Sequence, residues 1–323
     1  MSSYLWFMLA GSVLIFALYG LRCACAVRLP QLRKNAWGAA LLSLLFSAAF
    51  GLVLARVAYA LLMQELDFEY DGIAALEDLL LFDYDNLSFF FGGVGTVLGV
   101  LLANRLTRGS AVTEGMDAFA PFGALLVCLF RLGENAFGSY GAGTILPEGS
   151  PLTFFPFAVE ISVDGGYSYW GWAVCSLSAL FALIWAAVAF FCFRGIGRKG
   201  LNLTLTLFFL ALPQILCESL RRRGLFWLFV HVEQVLCGVL LVAVLLFWIL
   251  RSGKRLPFLR RWAPLLITLV CFGLLVADEF AIDGSKIGGI PHAVCYAFMC
   301  VVLVVMGVAG ARASARWNAG QKE

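Results

Sequence analysis

The sequence predicts an all-α polytopic membrane helix bundle, and three observations predict it. First, the 323 residues are 62% hydrophobic and only 13% charged, whereas a soluble domain carries about 25% charged residues; the mean hydropathy is +0.91. Second, apolar runs recur along the whole chain, at roughly 4–21, 37–63, 88–104, 115–132, 169–193, 202–220, 226–250, 263–279 and 290–310. Each is near or above the ~20 residues that cross a hydrocarbon core as a helix. Third, basic and acidic residues alternate between successive connections. The formal net charge of +3 decides little, because in such a chain the placement of charge is informative and its sum is not.

The first run has no Lys or Arg before Arg22. It therefore lacks the positive region that opens a signal peptide and is expected to be a span. Arg22, Arg28, Arg33 and Lys34 follow it. Arg105 and Arg108 follow the third run, and Arg194, Arg198 and Lys199 the fifth. Arg251, Lys254, Arg255, Arg260 and Arg261 follow the seventh, and Arg312 and Arg316 the ninth. The positive-inside rule assigns these connections to the cytoplasm, with the N-terminus outside and the C-terminus inside.

The opposite connections agree. Residues 64–86 contain Glu65, Asp67, Glu69, Asp71, Glu77, Asp78, Asp83 and Asp85 with no Lys or Arg, and 133–168 also carries carboxylates without a basic residue. Arg221, Arg222 and Arg223 break the pattern, on a face where Lys286 is the only other basic residue. Two readings are open. The three arginines snorkel at the interface and pair with the acidic loops, or one or more of them joins Arg131 in an anion site. Arg131 ends the run 117-DAFAPFGALLVCLFRLG-133, where a cation is costly without an anionic partner. A lipid phosphate is the partner expected, since a guanidinium keeps its charge and grips phosphate oxygens in pairs.

Several other residues bear on that site. Glu134 lies three after Arg131 and Glu218 three before Arg221, the spacing of neighbours on one helix face; each is read as an orienter of its arginine or as a general base. Arg56 and Tyr59 share a face of the second run, so that Arg56 either pairs with a buried carboxylate or lines the same site as a third basic group. The glycines of 92-GGVGTVLGV-100 lack the Lys-Ser/Thr ending of a phosphate loop and are expected to pack helices closely. His231 is placed within the seventh run, about a turn from its outer end, where a packed histidine is commoner than a catalyst. His292 opens the ninth run. The ten cysteines lie in or beside apolar runs and are expected to be small packing residues. With two histidines and no CxxC pair, no metal site is expected. No Ser-His-Asp set, HExxH helix or Rossmann glycine pattern is present.

From about residue 45 to 250 the chain runs in order through 51-GLVLARVAYALL-62, 88-SFFFGGVGTVLGVLLANRLTR-108, 116-MDAFAPFGALLVCLFRLGENAFG-138, 214-QILCESLRRR-223 and 230-VHVEQVLCGVLL-241. That order of segments resembles the prolipoprotein diacylglyceryl transferase family of bacterial inner membranes. The resemblance implies a seven-helix core over 1–250, with two extra helices and a tail over 251–323. It implies transfer of diacylglyceryl from phosphatidylglycerol to the lipobox cysteine of a prolipoprotein signal peptide, in the bacterial cytoplasmic membrane, with no cofactor and no nucleic acid.

The family's phosphate-contacting Arg-x-Gly falls on Arg131 and Gly133, its helix-six carboxylate on Glu218 and the next arginine on Arg221. Catalytic roles are thereby expected for Arg131, Glu218, Arg221 and Glu134. Substrate contacts are expected from Arg56, Tyr59, Gly92, Gly93, Gly133, Gln214 and His231. Four departures touch chemistry. Phe91 stands where the family has a histidine, Glu134 where it has an asparagine, and Gln214 where it has an arginine, and 167-YSYWGWAVCSL-177 occupies the place of a His-Pro-x-Gln motif. The alternative expectation is a phospholipid- or lipoprotein-binding protein of the same fold without turnover, because fold alone does not carry activity.

Overall fold

A computed structural model of the chain describes residues 3–26, 30–62, 87–134, 141–147, 149–163, 167–193, 198–221, 226–227, 230–252, 257–282 and 291–319. The acidic segment 64–86, Arg222, Arg223 and Lys286 lie outside the described residues. The helices are α1 (Ser3–Ala24), the short α2 (Pro30–Arg33), α3 (Ala36–Leu62), α4 (Phe89–Arg108), α5 (Val112–Gly133), α6 (Val174–Phe191), α7 (Leu201–Leu220), α8 (Val232–Arg251), α9 (Phe258–Ile282) and α10 (His292–Ala319). Eight stretches among the described residues are long and apolar enough to cross a membrane. The chain is an all-α multi-pass membrane protein, as its composition requires.

The longest of those stretches, Phe89–Gly133, holds both α4 and α5. A 3₁₀ turn at Gly109–Ala111 separates them, and Gly109 has φ +52°. That left-handed conformation is open to glycine without steric cost. Beyond it the chain doubles back, so that Gly115 lies against the side chain of Asn104 and 2.8 Å, measured from its ideal Cβ position, from Nη1 of Arg108. The two helices match the separate runs expected at 88–104 and 115–132, and the turn at Gly109–Ala111 joins them.

The chain divides into two compact units, and the division falls within α6. The first comprises Met1–Ala187 with Arg221–Leu225, the second Val188–Leu220 with Phe226–Glu323. These limits differ from the boundary expected near residue 250, because α9 and α10 pack with α7 and α8 in the second unit. In the first unit α1 packs on α3 and α5, and α3 packs along α4. Glycines set that last contact. A Cβ at Gly95 would collide with the carbonyl of Phe50 and lie 2.7 Å from Cα of Gly51, and one at Gly99 would lie 2.5 Å from the backbone nitrogen of Ser47. Close packing is thus what this run of small residues does. In the second unit Trp248, Phe208, Met299 and Met306 are fully buried, and Trp248 donates to Thr204 at 3.0 Å.

Strands lie where the apolar runs predict only helix and loop. β1 (Ala142–Ile145), β2 (Ala158–Val163) and β3 (Tyr167–Ala173) form an antiparallel sheet of order β1-β3-β2. The span expected to begin at residue 169 therefore begins at Val174. The one expected at 226 begins at Val232, after a small hairpin of β4 (Phe226–Trp227) and β5 (Val230–His231). Both shifts have one cause: aromatic and β-branched residues favour strands, and an apolar stretch does not by itself distinguish a strand from a buried helix. All ten cysteines are free thiols, seven of them buried.

Candidate functional site

The end of α5 carries Arg131 into the interior of the first unit, where it is 0% exposed. Its guanidinium carbon stands 3.6 Å from the centroid of the Phe89 ring, at the start of α4. Its Nη1 donates to Oε1 of Glu134, 1% exposed and one residue past the helix. The i, i+3 pairing holds because Glu134 keeps helical backbone angles, φ −54° and ψ −31°.

Arg221 reaches the same carboxylate. It donates from Nη1 to Oε1 of Glu134 at 3.2 Å and from Nη2 to Oε2 at 3.0 Å, the paired geometry that arginine makes with carboxylates. A second tether fixes its backbone, which bridges to Gly143 within β1. The arginine expected to break the charge rule thus faces inward, sharing one carboxylate with Arg131. These three groups sum to one positive charge. Burial works against the charge on Glu134, but Arg131 and Arg221 outweigh it and hold its carboxyl below the usual carboxylate range.

Arg56 is buried in α3, its guanidinium carbon 5.9 Å from the Tyr59 ring centroid. The Ser88 amide donates to the Ala55 carbonyl at 3.1 Å. This joins the neighbour of Arg56 to the neighbour of Phe89 and so puts Arg56 and Arg131 at the same end of the first unit. Ser88 also caps α4 by accepting from the Phe91 amide, so Phe91 sits in the first turn of a capped helix. Gly92 faces α3, its ideal Cβ position 3.5 Å from Cβ of Ala55; Gly93 faces open space. Gly133 is buried at the last position of α5.

The remaining expected site residues belong to the second unit. Glu218 is buried in α7 and accepts from the side-chain amide of Gln214 one turn earlier. His231 is buried, but it pairs in the β4–β5 hairpin and precedes α8, so its expected place inside the helix is corrected. His292 is exposed at the first position of α10.

Two features have no sequence signal. Phe89 meets Arg131 across 42 positions (131 − 89) of chain, a pairing no local pattern encodes. The second is a polar cluster in the first unit. Arg108 donates from Nη1 to the Tyr19 hydroxyl at 2.9 Å and to Oδ1 of Asn104 at 2.6 Å. Tyr19 donates in turn to Asn104 at 3.1 Å. Charge placement marks Arg108 only as a basic residue after a span. No protein-family model and no curated protein matches the chain.

Proposed function

We propose that the protein is a divergent membrane transferase, one that moves diacylglyceryl from phosphatidylglycerol to the thiol of a lipobox cysteine. The observation that carries the reading is the buried Arg131–Glu134–Arg221 triad. A bridging carboxylate fixes two permanently charged guanidiniums in orientation at the end of an apolar helix, an arrangement suited to lipid phosphate. Donor and acceptor follow from the family resemblance, as does the bacterial cytoplasmic membrane as its location.

In the reaction a C–S bond forms at the glyceryl carbon while the C–O bond to phosphate breaks. Glycerol phosphate leaves with the electron pair, and the thiol proton passes to water. Charge develops on the phosphate oxygens, where preorganised donors lower the barrier most. Arg131 and Arg221 are the donors, Glu134 orients them, and Arg56 with Tyr59 lines the lipid cavity.

One observation favours a second reading, phospholipid binding without turnover. Both oxygens of Glu134 accept from arginines and its pKa is depressed, which makes it a poor acceptor for the proton of a thiol. A turnover assay separates the two. Protein in detergent is given phosphatidylglycerol and a lipobox peptide, and the cysteine is read by mass spectrometry. A gain of diacylglyceryl mass, lost in Arg131→Ala, is the expected outcome. No modification, with phosphatidylglycerol retained in an Arg131-dependent way, establishes the binding protein. Neither modification nor retention overturns both readings.

A further inference from the structure

Residues 151–157, Pro-Leu-Thr-Phe-Phe-Pro-Phe, carry no charge and lead into β2. Phe154, Phe155 and Phe157 are 49%, 55% and 48% exposed, and the rings of Phe154 and Phe157 meet edge-on at 5.4 Å. Large apolar groups gathered in one exposed turn mark a surface that something covers.

We infer that this turn is seated in the bilayer, its three rings among the lipid acyl chains beside the start of α6. Position is the first argument. The Phe157 carbonyl accepts from the Ala173 amide at 2.8 Å, and α6 begins at the next residue, Val174. Phe157 therefore stands level with the first turn of a membrane helix whose Leu180, Leu183 and Ile184 face outward. The occupant of the turn's surface is the lipid that already covers that helix.

Backbone chemistry is the second argument. A segment entering lipid must satisfy its own polar groups. Part of the turn meets this demand: the Phe157 and Ala158 amides both donate to the Phe154 carbonyl at 3.0 Å, the Leu152 amide donates to Oγ of Ser150, and the Thr153 hydroxyl to the Ser150 carbonyl. Pro151 and Pro156 have no N–H to satisfy.

Polarity along the sheet is the third. Trp172 pairs with Ala158 one step above the turn and is part-exposed, at the level where tryptophan gathers at membrane surfaces. The exposed Glu160 is two residues further along β2, and the exposed Ser168 lies five residues up β3 from Ala173 (173 − 168), about 16 Å away at strand rise. Apolar, amphipathic and charged groups thus succeed one another away from the membrane. The inference is independent of the arginine triad and of which leaflet receives the turn.

Photocrosslinking tests it. p-Benzoylphenylalanine is placed at position 155, at Leu183 as a lipid-facing control and at Ser168 as a water-facing one, in full-length protein reconstituted into vesicles of phosphatidylethanolamine and phosphatidylglycerol. Illumination is expected to add one phospholipid mass to the peptides containing 155 and 183 and none to that containing 168. Absence of lipid on 155 while 183 is labelled overturns the inference, as does crosslinking of 155 to a second copy of the chain in place of lipid.

Discussion

Glu134 joins two guanidiniums, and each of the three charges would be costly if buried alone. Such a cluster adds little net stability over well-packed apolar groups, yet removing one member leaves an uncompensated charge and costs about 3–5 kcal/mol. Glu134→Gln is therefore expected to lower the melting temperature in detergent at neutral pH. Because the folded pKa of Glu134 is depressed, its contribution is fully present above the ordinary carboxylate pKa of about 4.3 and is lost as pH falls through the folded value. The melting difference between the parent and Glu134→Gln should stay level at higher pH and shrink only in acid. A difference that vanishes near neutrality would contradict a carboxylate held charged by Arg131 and Arg221. The i, i+3 spacing makes the Arg131–Glu134 half of the triad legible in sequence. The Arg221 half is not, since the same spacing points equally to Glu218.

At the scale of elements, the α3–α4 contact depends on glycine where backbones touch. Gly95→Ala or Gly99→Ala brings a methyl into the backbone of α3 and should cost about 1–3 kcal/mol, as overpacking does. Gly93, on the same helix with nothing within 4 Å of its Cβ position, serves as the control. Gly93→Ala should be neutral or stabilise by a few tenths of a kcal/mol up to about 1, through helix propensity. Thermal melting of the three variants checks the contrast, and equal losses at 93 and 99 would refute it. The small-residue pattern makes this packing readable in advance, but not the partner face on α3. The sheet between α5 and α6 is less legible, because Tyr167–Ala173 continues without a break in hydropathy into α6. Only pairing with β1 and β2 shows that these residues are a strand.

For the whole molecule, alternating charge fixes the expected topology. A fluorescent protein fused after Glu323 should fold and fluoresce, as it does only on the cytoplasmic side, and an epitope ahead of Met1 should be reached by antibody from outside in spheroplasts, with the outer membrane removed. The reverse labelling pattern would overturn the orientation. Membrane residence, the helical class and nearly all the spans follow from the sequence by itself, because each rests on composition or local order: apolar length, charge between runs, residues three or four apart. Tertiary structure alone decided that the turn between α4 and α5 is set at Gly109–Ala111, with Gly109 at positive φ. It alone decided that the last two helices join α7 and α8 in one unit, and that Arg221 turns to Glu134 while Phe89 lies against Arg131. Those are meetings between residues far apart in the chain. Their geometry depends on how buried surfaces and buried charges are satisfied together, which no local pattern records.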